Sequence, residues 1–204
     1  YQVVTTVFQT LAEKATAEDV ESKSIVNARD WYRAEAAKLK QVNEKKIIDP
    51  KNVRTQITFQ DMGQMFMFFY NPKHKDTLPY YDRFPLVFPV ELYDDGFLGI
   101  NLHYLPQKMR ATLMDALYTT INNKKNDRTT KLRLSYEILR GSSRMRFFKP
   151  CLKRYLSGHV LQKFLYIDPD NWDKALMLPT ERFVKKTKFE VQKESARMVT
   201  GSIV

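Results

Sequence analysis

The fold is decided by the stretch FPLVFPVELYDDGFLGINLHYL at residues 84–105. Its two apolar runs, Phe84–Tyr93 and Phe97–Leu105, are separated by a short acidic and glycine-containing segment, which is typical of a tight turn between antiparallel strands. We therefore predict a β-hairpin with its turn at Asp95-Gly96. The two prolines of the first run lack a backbone N–H, so this strand is expected to be an edge strand or an interrupted one.

The residues that precede this region predict helices. Leu11 lies in a short amphipathic stretch, and Ser22 or Ser24 can cap a second helix whose apolar residues recur at spacings of three and four. Asp49-Pro50 ends the helical region, because the residue before a proline avoids the helical conformation. We predict an N-terminal helical arm over residues 1–61.

The rest of the chain, residues 62–204, is predicted to be a basic α+β domain. The fold class is therefore α+β, with a small antiparallel sheet around the hairpin packed against several helices. The other predicted elements are a buried strand at Met62–Tyr70, a helix that begins at Pro106, a helix at Leu132–Leu139, a helix over Phe147–Tyr155, a strand at Val160–Ile167, a short helix capped by Asp168-Pro169 and a final helix at Phe189–Met198.

The charge is distributed unevenly along the chain. The formal net charge is +11, yet residues 1–61 carry ten Lys/Arg against nine Asp/Glu. Residues 120–204 carry nineteen Lys/Arg against eight Asp/Glu, which accounts for the whole excess. A basic excess of this size indicates an anionic partner, and both nucleic acid and an acidic protein surface are candidates.

Basic residues of the second half alternate with aromatic ones. Cations beside aromatic side chains suit phosphate neutralisation and base stacking. The alternative is that the aromatic side chains belong to the core and the cations to a solvated helix face. The candidate contacts with nucleic acid or an acidic partner are Arg144, Arg146, Lys149, Lys153, Arg154, Arg182, Lys185, Lys186 and Lys188.

A second candidate surface is the aromatic and proline-rich run Leu78–Pro89. Its prolines stiffen the chain, and Tyr80, Tyr81 and Phe84 offer large contact areas at low entropic cost. We predict a protein interface at these three residues. The alternative is a rigid segment that packs on its own domain.

The residues that could carry catalysis have simpler structural interpretations. Asp94 and Asp95 belong to the predicted turn, and Asp168 suits a helix cap better than a metal site. The single cysteine, Cys151, excludes an internal disulfide and is interpreted as buried. We expect no catalytic residues, no metal or cofactor, no enzyme activity and no membrane span. A metal-dependent nuclease built on Asp94, Asp95 and His103 is the weakest alternative.

The sequence also resembles a known group of phage proteins. The segments that carry the resemblance are residues 66–73, 78–87 and 95–106, and it extends over about residues 29–198. It is similar to a family of small virion or tail-associated proteins of contractile-tailed bacteriophages, some of which are identified as DNA end protectors.

The resemblance implies a structural or assembly subunit of a phage virion, at the head–tail connector, the tail or the baseplate, that acts by protein docking without catalysis. The alternative is a virion protein that binds DNA without sequence preference and protects or holds the genome ends. Expected partners are other virion proteins, further copies of the chain in a symmetric assembly, and DNA. We expect synthesis in the bacterial host cytoplasm and location in the virion.

Overall fold

A computed structural model describes residues 5–47, 49, 51–121, 136–137, 139–141 and 146–200. The described helices are α1 (Val7–Ala17), α2 (Ile25–Lys38), α3 (Gln107–Ile121), α4 (Trp172–Met177) and α5 (Lys188–Thr200). The described strands are β1 (Val53–Arg54), β2 (Met65–Met67), β3 (Tyr81–Asp82), β4 (Leu86–Tyr93), β5 (Gly96–Asn101), β6 (Leu152–Leu156), β7 (Phe164–Ile167) and β8 (Phe183–Val184). None of the described helices is long and apolar enough to cross a bilayer.

The described strands form two antiparallel sheets. The larger sheet has the order β1-β7-β2-β4-β5-β6, and β3 pairs with β8 in a separate ribbon. Helices cover the larger sheet, so the predicted α+β class is confirmed.

Side chains alternate between the two faces of the larger sheet, as the period of a strand requires. Met65 and Met67 of β2 face the main core, together with Phe88 of β4 and Trp172 of α4. The intervening Phe66 belongs to a second, mostly aromatic cluster on the opposite face. The members of this aromatic face are Phe66, Phe68, Tyr70, Val87, Phe97, Tyr155 and Phe164.

The predicted hairpin is confirmed, because Tyr93 of β4 pairs with Gly96 of β5 across the turn. The prediction that β4 is an edge strand is wrong, since it pairs with β2 on one side and β5 on the other. The interruption is confirmed, because the register shifts between Pro89 and Glu91. Pro89 lies at this irregularity, where its missing backbone N–H is tolerated, and its carbonyl accepts a hydrogen bond from the Gly63 N–H at 2.8 Å.

The two predicted N-terminal helices are confirmed as α1 and α2, and Ser24 caps α2 by accepting a hydrogen bond from the Asn27 N–H. Leu11 of α1 joins the main core that Trp172 also occupies. Arg33 of α2 donates to Asp173 of α4 at 2.7 Å. The helices of residues 1–61 thus share one core with later elements.

The predicted helix over Phe147–Tyr155 is wrong. A 3₁₀-helix spans Arg146–Cys151, and β6 follows at once as the outer strand beside β5. Pairing with the hairpin overrides the local helical spacing, since Tyr155 lies opposite Phe97 and joins the aromatic face. The predicted helix at Leu132–Leu139 lies largely outside the described residues.

The C-terminal predictions are confirmed. Asp168 accepts a hydrogen bond from the Asp170 N–H at 3.0 Å, and Pro169 occupies the first turn of the 3₁₀-helix that leads into α4. α5 covers the predicted final helix.

Candidate nucleic-acid interface

A cleft of about 380 Å³ opens beside the outer strand β6. Four separate segments build it, which are residues 70–74, residues 78–82, Tyr104 and residues 152–156. Five of its side chains are tyrosines, and we call it the tyrosine cleft. The side chains of the cleft used below are Tyr70, Lys73, His74, Tyr80, Tyr81, Asp82, Tyr104, Lys153, Arg154 and Tyr155.

Lys185 holds the loop that carries Lys73 and His74. Its backbone has a φ of 74°, in the left-handed region, and directs the chain from β8 towards α5. Its ammonium group donates three hydrogen bonds to backbone carbonyls of the loop, whose acceptors are Lys75 at 2.7 Å, Asp76 at 3.1 Å and Leu78 at 2.7 Å. The cation of Lys185 therefore positions the cleft loop.

Three buried tyrosines form the floor of the cleft, and two partly exposed ones, Tyr80 and Tyr81, form a wall. Tyr70, Tyr104 and Tyr155 are 6%, 4% and 3% exposed. Burial raises the pKa of Tyr155 well above its ordinary value, so its hydroxyl keeps its proton.

Hydroxyls of the floor accept hydrogen bonds from the protein. Tyr70 accepts from the Leu156 N–H and Tyr155 accepts from the Asn101 amide, each at 3.1 Å. Each of these hydroxyls accepts one hydrogen bond and keeps its own proton.

A buried polar network fixes the back of the cleft. Asp82 accepts from Asn101 at 3.0 Å and lies 2.6 Å from Nδ1 of His103, whose Nε2 lies 2.9 Å from the Thr180 hydroxyl. The order carboxylate, imidazole and hydroxyl in Asp82, His103 and Thr180 resembles that of the catalytic triad of a hydrolase. His103 and Thr180 are both fully buried, however, so no substrate can reach the hydroxyl. The network orients Asp82 and, through Asn101, Tyr155.

The structure does not bring His103 to Asp94 and Asp95, the three residues of the nuclease alternative. Both ring nitrogens of His103 contact Asp82 and Thr180 instead. Among the residues that the structure describes, no group of three His, Cys, Asp or Glu side chains is placed to hold a metal ion.

Cys151 is buried, as the sequence predicts. Burial raises the pKa of its thiol to about 12, although Lys153 and Arg110 act in the opposite direction. The thiol therefore stays protonated near neutral pH, and it is unsuited to nucleophilic chemistry.

Lys153 projects from β6 into the cleft. Its Nζ atom lies 4.2 Å from the ring centroid of Tyr104. Desolvation lowers the pKa of Lys153, because burial penalises the charged form. Within the described part of the chain, no carboxylate lies within ion-pair distance of this ammonium group. The cleft thus contains a partly buried cation that lacks a close counter-ion.

Further cations surround the mouth of the cleft. Arg154 pairs with Asp95 of the hairpin turn and lies 4.0 Å from the ring centroid of Tyr93. Lys186 lies 4.7 Å from the ring centroid of Tyr80 and 2.6 Å from Glu194. Lys73 and His74 are exposed. Arg154 and Lys186 are thus each paired with a carboxylate beside an aromatic ring, and Lys73 adds an exposed cation.

The remaining predicted cations have other environments. Arg182 donates to Glu44 and to the Val42 carbonyl, both at 3.0 Å, so its charge joins the N-terminal region to the segment before β8. Lys188 lies 3.7 Å from Glu181, and Lys149 is exposed in the 3₁₀-helix. Arg144 and the side chain of Arg146 lie outside the described residues.

The three residues of the predicted protein interface separate in the structure. Tyr80 and Tyr81 line the tyrosine cleft. Phe84 is only 1% exposed and packs against Phe69 with ring centroids 4.5 Å apart. Phe84 therefore belongs to the chain's own core and offers no surface to a partner.

A larger groove of about 860 Å³ lies between α1, α2 and the segment that follows α2. Its cations are largely neutralised, because Lys14 and Lys38 both pair with Glu35 while Arg182 pairs with Glu44. The tyrosine cleft differs from this groove in Lys73 and Lys153, which have no ion pair with a carboxylate among the described residues.

Sequence reasoning missed several residues of this site. The sequence singles out neither Lys73 nor His74, and it places Tyr70 and Tyr104 only within predicted strands. The only local signal is the density of tyrosine and lysine around the Asn71-Pro72 turn.

The fold and the cleft describe a basic α+β protein with a surface cleft lined by tyrosines and cations. The family model described as the Phage T4 terminal DNA protecting protein matches residues 12–198, so the chain belongs to this family. No curated protein and no solved structure matches the chain significantly.

Family membership confirms the resemblance to DNA end protectors of contractile-tailed phages and implies a virion-associated protein. It favours the DNA-end-protecting alternative over the first interpretation as an assembly subunit of the connector, tail or baseplate.

Proposed function

We propose that the chain binds the ends of linear phage DNA without sequence preference and shields them from exonucleases. The observation that carries this proposal is the family match over residues 12–198, whose description is terminal DNA protection.

The charge of the chain supports the same function. The formal net charge of +11 provides the attraction to phosphate that sequence-independent binding requires. Lys73 and Arg154 line the tyrosine cleft, and Lys186 lies 4.7 Å from the Tyr80 ring centroid, so part of this charge lies beside aromatic rings. Proteins that bind single-stranded nucleic acid commonly combine cationic side chains, which contact phosphates, with aromatic side chains, which stack on bases.

Protection follows from occupancy and needs no chemical step. An exonuclease must reach the terminal phosphodiester bond, and a protein bound over the terminus excludes it for as long as the complex lasts. The degree of protection is therefore set by affinity for the end and by the dissociation rate.

A competition experiment tests this proposal. The protein is bound to a fluorescently labelled linear duplex, and unlabelled competitors are added at equal base-pair concentration, either as short linear duplexes or as a covalently closed circle. We expect the linear competitor to displace the label at far lower concentration, because only it supplies ends. Equal displacement by both competitors would contradict end binding.

A further inference from the structure

We propose that the tyrosine cleft binds a single unpaired nucleotide at the DNA terminus, so that the protein recognises an end through a base that has left the duplex. This inference rests on the proposed function, and it specifies which feature of an end is recognised.

The size of the cleft limits which part of a DNA end it can bind. Its volume of about 380 Å³ is near the lower bound of roughly 300 to 1,000 Å³ for small-ligand pockets. Such a volume admits one nucleotide and excludes a base-paired duplex. Phosphates further along the strand would contact the rim cations outside the cleft.

The walls of the cleft suit the faces of a base. Tyr80 and Tyr81 are consecutive, partly exposed rings at the cleft, where an unstacked base can replace the stacking it loses on leaving the duplex. The hydroxyls of Tyr70 and Tyr155 accept hydrogen bonds from protein groups, which orients both rings at the floor of the cleft. Tyrosine stacking does not select one base strongly, which agrees with binding that ignores sequence.

The interior of the cleft suits a phosphate group. Lys153 is a partly buried ammonium group whose close counter-ion is absent from the described part of the chain. The charge of Glu194 acts on Lys153, but Glu194 already pairs with Lys186, so the partly buried ammonium group can still be stabilised by a further anion. A terminal or penultimate phosphate would supply that anion, and Lys73 and Arg154 stand at the same cleft to neutralise its neighbours.

Hydrogen bonds within the protein hold two segments of the site in place. Lys185 fixes the loop of Lys73 and His74 through three carbonyls. The buried pair of Asp82 and His103 fixes the strand that carries Tyr81. Pre-organisation of this kind reduces the entropic cost of binding.

A terminal base can enter such a cleft at a lower free-energy cost than an internal base. Opening an internal base pair requires breaking stacking on both sides, whereas a terminal base has only one stacking neighbour, and an overhanging base has no pair to break. A cleft for one unpaired nucleotide therefore distinguishes an end from continuous duplex.

The test measures binding by fluorescence anisotropy to four duplexes that share one sequence. One is blunt, one has a single-nucleotide 3′ overhang, one has a single-nucleotide 5′ overhang, and one has an abasic overhang of the tighter-binding polarity. We expect an overhang to raise affinity about tenfold over the blunt duplex, and the abasic overhang to lose this gain while keeping its phosphate.

Variants assign the effect to the cleft. Tyr81→Ala should reduce the affinity for the overhang to that for the blunt duplex, whereas Tyr81→Phe should retain the gain because it keeps the ring. Phe59→Ala removes a ring that is 74% exposed outside the cleft, and it is expected to leave the gain unchanged. Circular dichroism melting of each variant verifies folding.

The outcomes separate this inference from the proposed function. Equal affinity for blunt, overhanging and abasic duplexes would overturn the inference while leaving end binding intact, as would a gain that Tyr81→Ala does not affect. Binding that fails to distinguish linear from circular DNA would instead overturn the proposed function. A photocrosslink from a terminal 5-iodouracil to the tryptic peptide 76–83, which contains Tyr80 and Tyr81, would support the inference directly.

Discussion

At the scale of single residues, Lys153 combines a structural cost with a binding role. Its ammonium group is partly buried over the Tyr104 ring, and desolvation lowers its pKa. A side chain of similar length without charge should pack in the same place with a smaller desolvation penalty. Replacement of Lys153 by an uncharged side chain is therefore expected to preserve or raise stability and to lower the affinity for DNA.

Lys153→Met tests this expectation. The free energy of unfolding from urea titrations should stay unchanged or rise by up to about 1 kcal/mol, because a buried charge is replaced by an apolar group. The affinity for DNA ends should fall about tenfold. Lys163→Met, at an exposed lysine outside the cleft, is the control and should alter neither quantity. A variant of Lys153 that lost stability but kept full affinity would contradict the account.

Glu181 makes the stability of the folded chain depend on pH in the acidic range. It pairs with the buried Arg110 at 2.6 Å. Burial alone would raise the pKa of Glu181, yet His103 and Arg110 lower it to about 2 from an ordinary value of 4.5. Because the folded-state pKa is depressed, the pair contributes stability above pH 4.5, and that contribution is lost as the pH falls towards 2.

Glu181→Gln should lower the free energy of unfolding at pH 7 by about 3 to 5 kcal/mol, because Arg110 is left buried without its counter-charge. The variant should also lose less stability than the wild type between pH 5 and pH 3. Urea unfolding at these three pH values measures both effects. Parallel pH dependence in the two proteins would show that another carboxylate is responsible.

At the scale of elements, the hairpin and β6 show what local sequence can and cannot predict. The β4–β5 turn, the cap of α2 and the start of the helix region at Asp168 depend on neighbouring residues, and all are predictable. The apolar residues in and before β6 have a spacing that also suits a helix. Long-range pairing with β5 makes the segment a strand. Periodicity in one short segment cannot reveal a partner more than fifty residues away.

The β5–β6 contact depends on Gly96. A Cβ atom at this position would lie 1.9 Å from the Tyr155 carbonyl oxygen, so any larger residue must separate the two strands. Gly96→Ala should lower the free energy of unfolding by about 2 to 3 kcal/mol, and it should weaken DNA-end binding by displacing β6. Urea unfolding and anisotropy measure the two effects.

Gly158→Ala is the matched control, since a Cβ atom there meets nothing within 4 Å. We expect it to change stability by no more than about 0.5 kcal/mol. Equal effects of the two substitutions would contradict the close approach of β5 and β6.

At the scale of the whole molecule, the candidate site could be predicted only in part. The basic and aromatic composition of the second half, from which Lys153 and Arg154 are selected, is visible in the sequence, as is the aromatic and proline-rich run that contains Tyr80 and Tyr81. The sequence assigns the two tyrosines and the two cations to different surfaces, whereas the fold places them in one cleft. Their meeting depends on the β3–β8 ribbon and on β6 beside the hairpin, which are contacts between distant segments.

The net charge of +11 predicts strong salt dependence of DNA binding. If Lys73, Lys153, Arg154 and Lys186 each neutralise one phosphate, the logarithm of the association constant should fall against the logarithm of salt concentration with a slope of about −3 to −4. Anisotropy between low and physiological salt measures this slope. A slope near zero would mean that the basic residues do not contact phosphate.

The most direct test of DNA-end protection is an exonuclease assay on linear duplex DNA that has been incubated with the purified protein. We predict that full-length DNA persists in proportion to the occupancy of its ends. Addition of short linear duplexes, which compete for the protein, should abolish protection, whereas the same mass of closed circular DNA should not. Degradation at the rate of naked DNA, under conditions where anisotropy shows the ends to be bound, would contradict the account.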